Sequence, residues 1–149
     1  MMWMNIIYLT AGFVFMEIFS WAFHKYIMHG VLWNIHKTHH GHSKGGYFEL
    51  NDIFSLIFGS TAVVLIILGS IDGFDWRFWV GAGITVYGFS YFILHDMLIH
   101  RRVKVFDRPR GKFLNGIAKA HRDHHKSNKK DGAVSFGLFL VPKKYFSKD

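Results

Sequence analysis

No cysteine occurs anywhere in the 149 residues, so disulfides, iron–sulfur clusters and thiolate metal sites are excluded. Acidic side chains are scarce as well: ten Asp and Glu stand against eighteen Lys and Arg, for a net charge of +8. No dinucleotide fingerprint is present. Gly81-Ala-Gly83 is the nearest approach to G-x-G-x-x-G and fails at Val86. The H-E-x-x-H signature of zinc hydrolases is missing too, and so is any heme motif. Nothing accompanies the basic charge that would read nucleic acid, and nucleic acid is not expected as a partner.

What is present is apolar surface and histidine. Half the residues are hydrophobic and the mean hydropathy is +0.15. Three stretches approach the roughly 20 residues that a helix needs to cross a bilayer core of about 30 Å. They run over 3–23, broken only by Asn5 and Glu17; over 53–70, with no charge at all; and over 77–94, which contains Gly81, Gly83 and Gly88. A soluble chain this small would struggle to bury all three. The first stretch lacks the basic flank and small-residue cleavage site of a secretion signal, so it is taken as mature sequence. The expected fold is all-α: one domain over 1–149, an integral membrane helical bundle with a cytosolic histidine-rich metal-binding cap.

Ten of the eleven histidines fall into four clusters: His24 and His29; His36, His39 and His40; His95 and His100; His121, His124 and His125. His42 stands outside this pattern and is expected at the surface or in support. Neutral imidazole is the commonest metal ligand, and ten imidazoles suit two metal ions better than one. Each H-x-x-H-H triplet places its residues on one side of a helix, so each is expected to offer up to three nitrogens to one site. Residues i and i+5 lie about 140° apart on an ideal α-helix. The long pairs therefore need a π-turn or a loosened helix end to converge. Metal-bound histidines donate their second N–H to an acceptor, and the expected acceptors are Glu17, Glu49, Asp52, Asp96 and Asp123.

Topology tests this reading. With three spans, all four clusters emerge on one side, and every Lys and Arg except Arg77 lies on that side too. The positive-inside rule makes it the cytoplasm. Beyond the spans, residues 107–111 and 126–132 read as loops, and 112–126 as a cytosolic helix. The apolar stretch 133–142 is too short to span and is expected at the membrane interface or against the site.

Two redox metals at a membrane surface suit O2-dependent attack on a lipophilic C–H bond. That reaction consumes two electrons, and this chain has no group to store them, so a separate protein must deliver them. The stretches 24–30, 36–40, 47–52, 95–102, 121–125 and 134–142 together resemble the bacterial β-carotene hydroxylases, the carotenoid branch of the fatty-acid hydroxylase superfamily of membrane non-heme di-iron enzymes. The resemblance implies 3-hydroxylation of β-ionone rings, from β-carotene through β-cryptoxanthin to zeaxanthin. It implies two Fe ions held by the ten motif histidines, O2 as co-substrate, and electrons from ferredoxin and ferredoxin reductase. It also implies a carotenoid drawn from the bilayer and a place among the lipids of a bacterial inner membrane. Two other classes stay open from sequence: an oxygenase or desaturase of another lipid (fatty acyl, sterol, or a carotenoid ketolase), and a non-enzymatic metal-binding membrane protein.

Overall fold

The computed structural model describes residues 1–40, 48–106 and 108–147. The chain is helical, with no strand among those residues. Helices α1 (Met2–Ala22), α2 (Trp33–His40), α3 (Asp52–Ile71), α4 (Trp76–Tyr91) and α5 (Gly111–His125) follow in order. A π-helical stretch, Phe23–Met28, extends α1, and a second, Phe92–Ile99, extends α4. A short 3-10 turn at Lys143–Phe146 closes the order.

Two compact units can be distinguished. One comprises Met1–Glu17 with Asp52–Ser90, and the other Ile18–Asn51 with Tyr91–Asp149. The first holds most of the apolar helices, two of which run on into the second. Met2–Met28, Asp52–Ile71 and Trp76–Ile99 are each long and apolar enough to cross a membrane, and less than a quarter of each is buried within the protein. Side chains such as Leu56, Ile67 and Phe89 face outward, as lipid-facing residues do. The first and third spans run further than composition alone indicates, because each continues through its π-helical stretch.

Within this unit the helices meet through glycine. A Cβ on Gly12 would strike the Val80 carbonyl, and one on Gly83 would strike the Leu9 carbonyl. These two positions let the backbones of α1 and α4 touch. Gly81 plays the same part toward α3, where a Cβ would stand 2.9 Å from the Ala62 carbonyl oxygen. Small residues that permit close backbone approach are how helices associate in lipid. The ring of Phe13 packs edge-on to Tyr87 beside these contacts, with centroids 5.6 Å apart.

Arg77, in the first turn of α4, pairs with Asp72 and with Asp75 of the preceding turn.

The second unit is built on α5, whose apolar face buries Ile117, Ala118 and Ala120. Gly116 admits the Phe146 ring, and Phe113 stacks on the same ring at 5.9 Å. The 3-10 turn is thereby fastened to the helix. This anchors the irregular stretch 126–142, which carries much of the support for the histidines.

Candidate metal centre

The two π-helical stretches coincide with the two long histidine pairs. The His29 N–H donates to the His24 carbonyl at 3.0 Å, and the His100 N–H to the His95 carbonyl at 2.8 Å. Each is an i→i+5 bond between the two members of one pair. The extra residue in the turn rotates i+5 back toward the face of i, which an ideal α-helix does not allow.

The imidazoles gather into two groups. The ring nitrogens of His24, His29, His36, His40 and His124 offer atoms all within 4.8 Å of one another, and so do those of His39, His95, His100 and His121. His125 lies between the groups, with its ring centroid 4.7 Å from that of His100 and 4.5 Å from that of His121 in the second, and 4.5 Å from that of His40 in the first. Its Nε2 is buried with no hydrogen-bond partner among the described residues.

The triplets divide between the groups, which corrects the expectation that each serves one site. His36 and His40 join the first group and His39 the second. The other triplet mirrors this: His124 joins the first group, while His121 joins the second with His125 beside it. The cause is helical rotation. Residues i and i+4 differ by about 40°, whereas i+3 lies about 60° to the other side of i and about 100° from i+4. Two centres placed side by side along the helix therefore take i and i+4 on one hand and i+3 on the other.

Seven imidazoles have Nδ1 fixed by a hydrogen bond. His24 donates to the Phe136 carbonyl at 2.8 Å, His29 to Lys130 at 3.0 Å, His40 to Ser127 at 2.9 Å and His124 to Val134 at 3.1 Å. His36 donates to the Asn51 side-chain oxygen at 2.8 Å. His39 donates to Glu49 and His95 to Asp96, both at 2.8 Å. Carbonyl and carboxylate oxygens only accept, so these Nδ1 atoms carry the proton. In a neutral ring the Nε2 atom is then a bare lone pair.

Those lone pairs face one another. Nε2–Nε2 separations are 3.0 Å for His24 with His36, 3.1 Å for His40 with His36, 3.2 Å for His29 with His124 and 3.2 Å for His39 with His95. None of these four contacts has a proton to share. Two lone pairs at that distance repel unless a cation lies between them. Imidazole nitrogens at about 2.1 Å from a common ion, in adjacent octahedral positions, lie about 3.0 Å apart. The residues present fit a pair of metal ions.

Burial keeps the rings neutral, as ligands must be. It lowers His40 to about 4, His100 and His124 to about 3, and His36 to about 2. His29, His121 and His125 are lowered for the same reason. An unfolded chain takes up these protons near pH 6.5. Between about 6.5 and about 2 the unfolded state binds more protons, so stability is present above that window and falls as pH drops through it. Chelator-treated protein in detergent should therefore unfold at a lower temperature at pH 5 than at pH 7.5. An unchanged midpoint would contradict the burial.

Of the expected acceptors, Glu49 and Asp96 hold His39 and His95 as described, and Asp96 also lies 3.5 Å from Arg102. Asp123 differs from expectation. It pairs with Lys126 at 2.6 Å and bonds Tyr145 instead of an imidazole, because its place on α5 turns it toward the 3-10 turn. Asp52 opens α3, where a negative charge suits the helix N-terminus. Glu17 is buried on α1. His42 lies outside the described residues.

Sequence reasoning looks for carboxylates in the supporting role and passes over Asn51. It also passes over four backbone carbonyls of the stretch 127–136. The Asn51 amide has a visible signal in its polar neighbourhood beside Glu49. The carbonyls have none, since every residue carries one.

Residues 9–143 match the fatty acid hydroxylase family. The chain is 40% identical to the β-carotene hydroxylase of Pantoea ananas over 95% of its own length and 81% of that protein's. It is 39% identical to the β-carotene hydroxylase of Pseudescherichia vulneris over 95% and 80%. With the chloroplastic β-carotene hydroxylase 1 of Capsicum annuum it shares 41% identity over 83% of this chain and 39% of the plant protein. No solved structure matches it. The paired histidine groups, the apolar helices that lead into them and these likenesses agree: the chain belongs to the fatty acid hydroxylase family, beside the bacterial β-carotene hydroxylases.

Proposed function

We propose that this protein is a β-carotene 3-hydroxylase of a bacterial inner membrane, acting as one functional domain on a carotenoid drawn from the bilayer. The reading rests above all on the Nε2 lone pairs that converge at about 3 Å in two groups. The 40% identity to a β-carotene hydroxylase over 95% of the chain supports the substrate.

His24, His29, His36, His40 and His124 would hold one iron, and His39, His95, His100, His121 and His125 the other. Bound iron would supply the redox capacity for O2 that no amino-acid side chain here provides. Per hydroxylation, one oxygen atom enters the C–H bond at ring position 3. The other leaves as water, at the expense of two electrons and two protons. The protein's own part is to hold the nitrogens in place through Nδ1 and to keep them unprotonated. A carotenoid is about as long as a bilayer is thick, so a terminal ring can reach a site at the ends of the spans. Glu17, buried in a segment where a charge is costly, serves as further support on the approach to His24.

The centre faces the cytoplasm in this reading, since Arg77 alone among the basic residues marks the other end. Single cysteines introduced at positions 72 and 110 of this cysteine-free chain should be labelled from opposite sides of the membrane. Labelling from one side would defeat the arrangement.

Expression in a β-carotene-accumulating host tests the activity. The expected pigments are β-cryptoxanthin and then zeaxanthin. Ketocarotenoids, or unchanged β-carotene from a metal-loaded and membrane-inserted protein, would overturn the assignment.

A further inference from the structure

The two groups of imidazoles are supported by different chemistry. In the first, all five Nδ1 donors end on neutral acceptors: the carbonyls of Phe136, Lys130, Ser127 and Val134, and the Asn51 amide oxygen. In the second, two of the donors end on carboxylates, His39 on Glu49 and His95 on Asp96. These pairs are secluded. The side chains of His39 and Glu49 are 2% and 13% exposed, and those of His95 and Asp96 are 3% and 15% exposed.

A carboxylate that accepts a ligand's N–H pulls on that proton and makes the opposite nitrogen a stronger donor. It also supplies negative charge close to a divalent ion, where burial makes an uncompensated charge costly. Among the described residues, no carboxylate accepts an imidazole N–H in the first group. Asp131, whose charge reaches His29, is exposed to solvent. Arg102 lies 3.5 Å from Asp96, and both carboxylates keep an imidazole N–H. The first group has five imidazoles and the second four, to which the proposed function adds His125, so the charge of the two carboxylates is the difference that favours the second.

We propose that the two centres are unequal, the one around His39 and His95 binding its metal ion more tightly, with Glu49 and Asp96 as the positioning residues that make it so. The inference rests on the two-centre reading above. Changes at such supporting residues typically alter metal affinity about 10–100-fold, so two occupation steps should separate by at least about tenfold.

The test is a Co2+ titration of the metal-free full chain in detergent, followed by visible absorption and by metal content per chain. Wild type should bind two equivalents in two steps. His95→Ala should remove the tight step and His36→Ala the weak one. Glu49→Gln should weaken the tight step about 10–100-fold and bring the two together. Asn51→Asp should tighten the weak step, a gain that mere damage to the fold cannot produce. Two equal steps in wild type, or loss of the tight step in His36→Ala, would overturn the proposal. A wild-type chain that holds a single Co2+ would instead defeat the two-centre reading itself, and the inequality with it.

Discussion

His39→Ala is expected to abolish hydroxylation while leaving the chain in the membrane. The imidazole stands in α2, beyond the apolar spans, so its loss removes no lipid-facing surface. Its Nε2 lies 3.2 Å from that of His95, and its Nδ1 is held by Glu49 at 2.8 Å. Truncation therefore takes one ligand from the second centre and leaves the part-buried Glu49 carboxylate without its imidazole donor. His124→Ala should be equally inactive through the other centre, since its Nε2 faces His29 at 3.2 Å. Metal content should separate the two lesions: each variant should fall from two ions per chain toward one, from different centres. Glu49→Gln keeps the shape and loses the charge, so activity should fall about 10–100-fold without vanishing. His42→Ala, outside the repeated spacing, should keep most activity. Zeaxanthin yield beside membrane-fraction abundance is the measurement. Full activity in His39→Ala would remove the second centre from the chemistry.

Purified protein given NADPH alone should make no zeaxanthin, and ferredoxin with its reductase should restore turnover. The ground is chemical. Each hydroxylation consumes two electrons, and a chain without cysteine, dinucleotide fingerprint or heme motif has no group to relay them from a nicotinamide. The candidate docking surface follows the third span, where Arg101, Arg108 and Arg110 line one cleft. None of the three forms an ion pair among the described residues. Ferredoxins are typically acidic, and attraction between exposed charges fades as the screening length shortens to about 8 Å at physiological salt. Turnover at limiting ferredoxin should therefore fall with added salt. Reversal of two of these arginines should raise the ferredoxin requirement. Zeaxanthin formation with NADPH alone would sink the external-donor reading, and a rate indifferent to both salt and charge would move the docking surface elsewhere.

Much of this protein could be read before its tertiary structure. The spans follow from uninterrupted apolar length, because a charge within a bilayer costs several kcal/mol and only long apolar helices avoid it. The need for π-turns follows from arithmetic: His24 and His29, like His95 and His100, cannot share a face at 3.6 residues per turn. Helix α5 begins and ends within a residue of its expected bounds, because Phe113, Leu114 and Ile117 recur at helical spacing before the last triplet. The stretch 133–142, too short to span, does lie against the site, through the Val134 and Phe136 carbonyls.

Sequence by itself thus determined the helical class, the three apolar segments and the histidine clusters. Each of these depends on composition or on spacing along a single helix. Tertiary structure alone decided how the imidazoles are grouped. His39 and His40 are neighbours in the chain, yet they turn about 100° apart, and only the placement of α2, α5 and both π-helical stretches determines which centre each one meets. The same holds for the supporting bonds. Asp123 and Asp96 are both acids beside a histidine, but Asp123 is drawn to Lys126 and Tyr145 while Asp96 keeps His95. Backbone carbonyls from 127–136 serve the first centre because the chain there is anchored on α5 and folded against it. A carbonyl carries no side-chain identity, so its role appears only when distant segments meet in space.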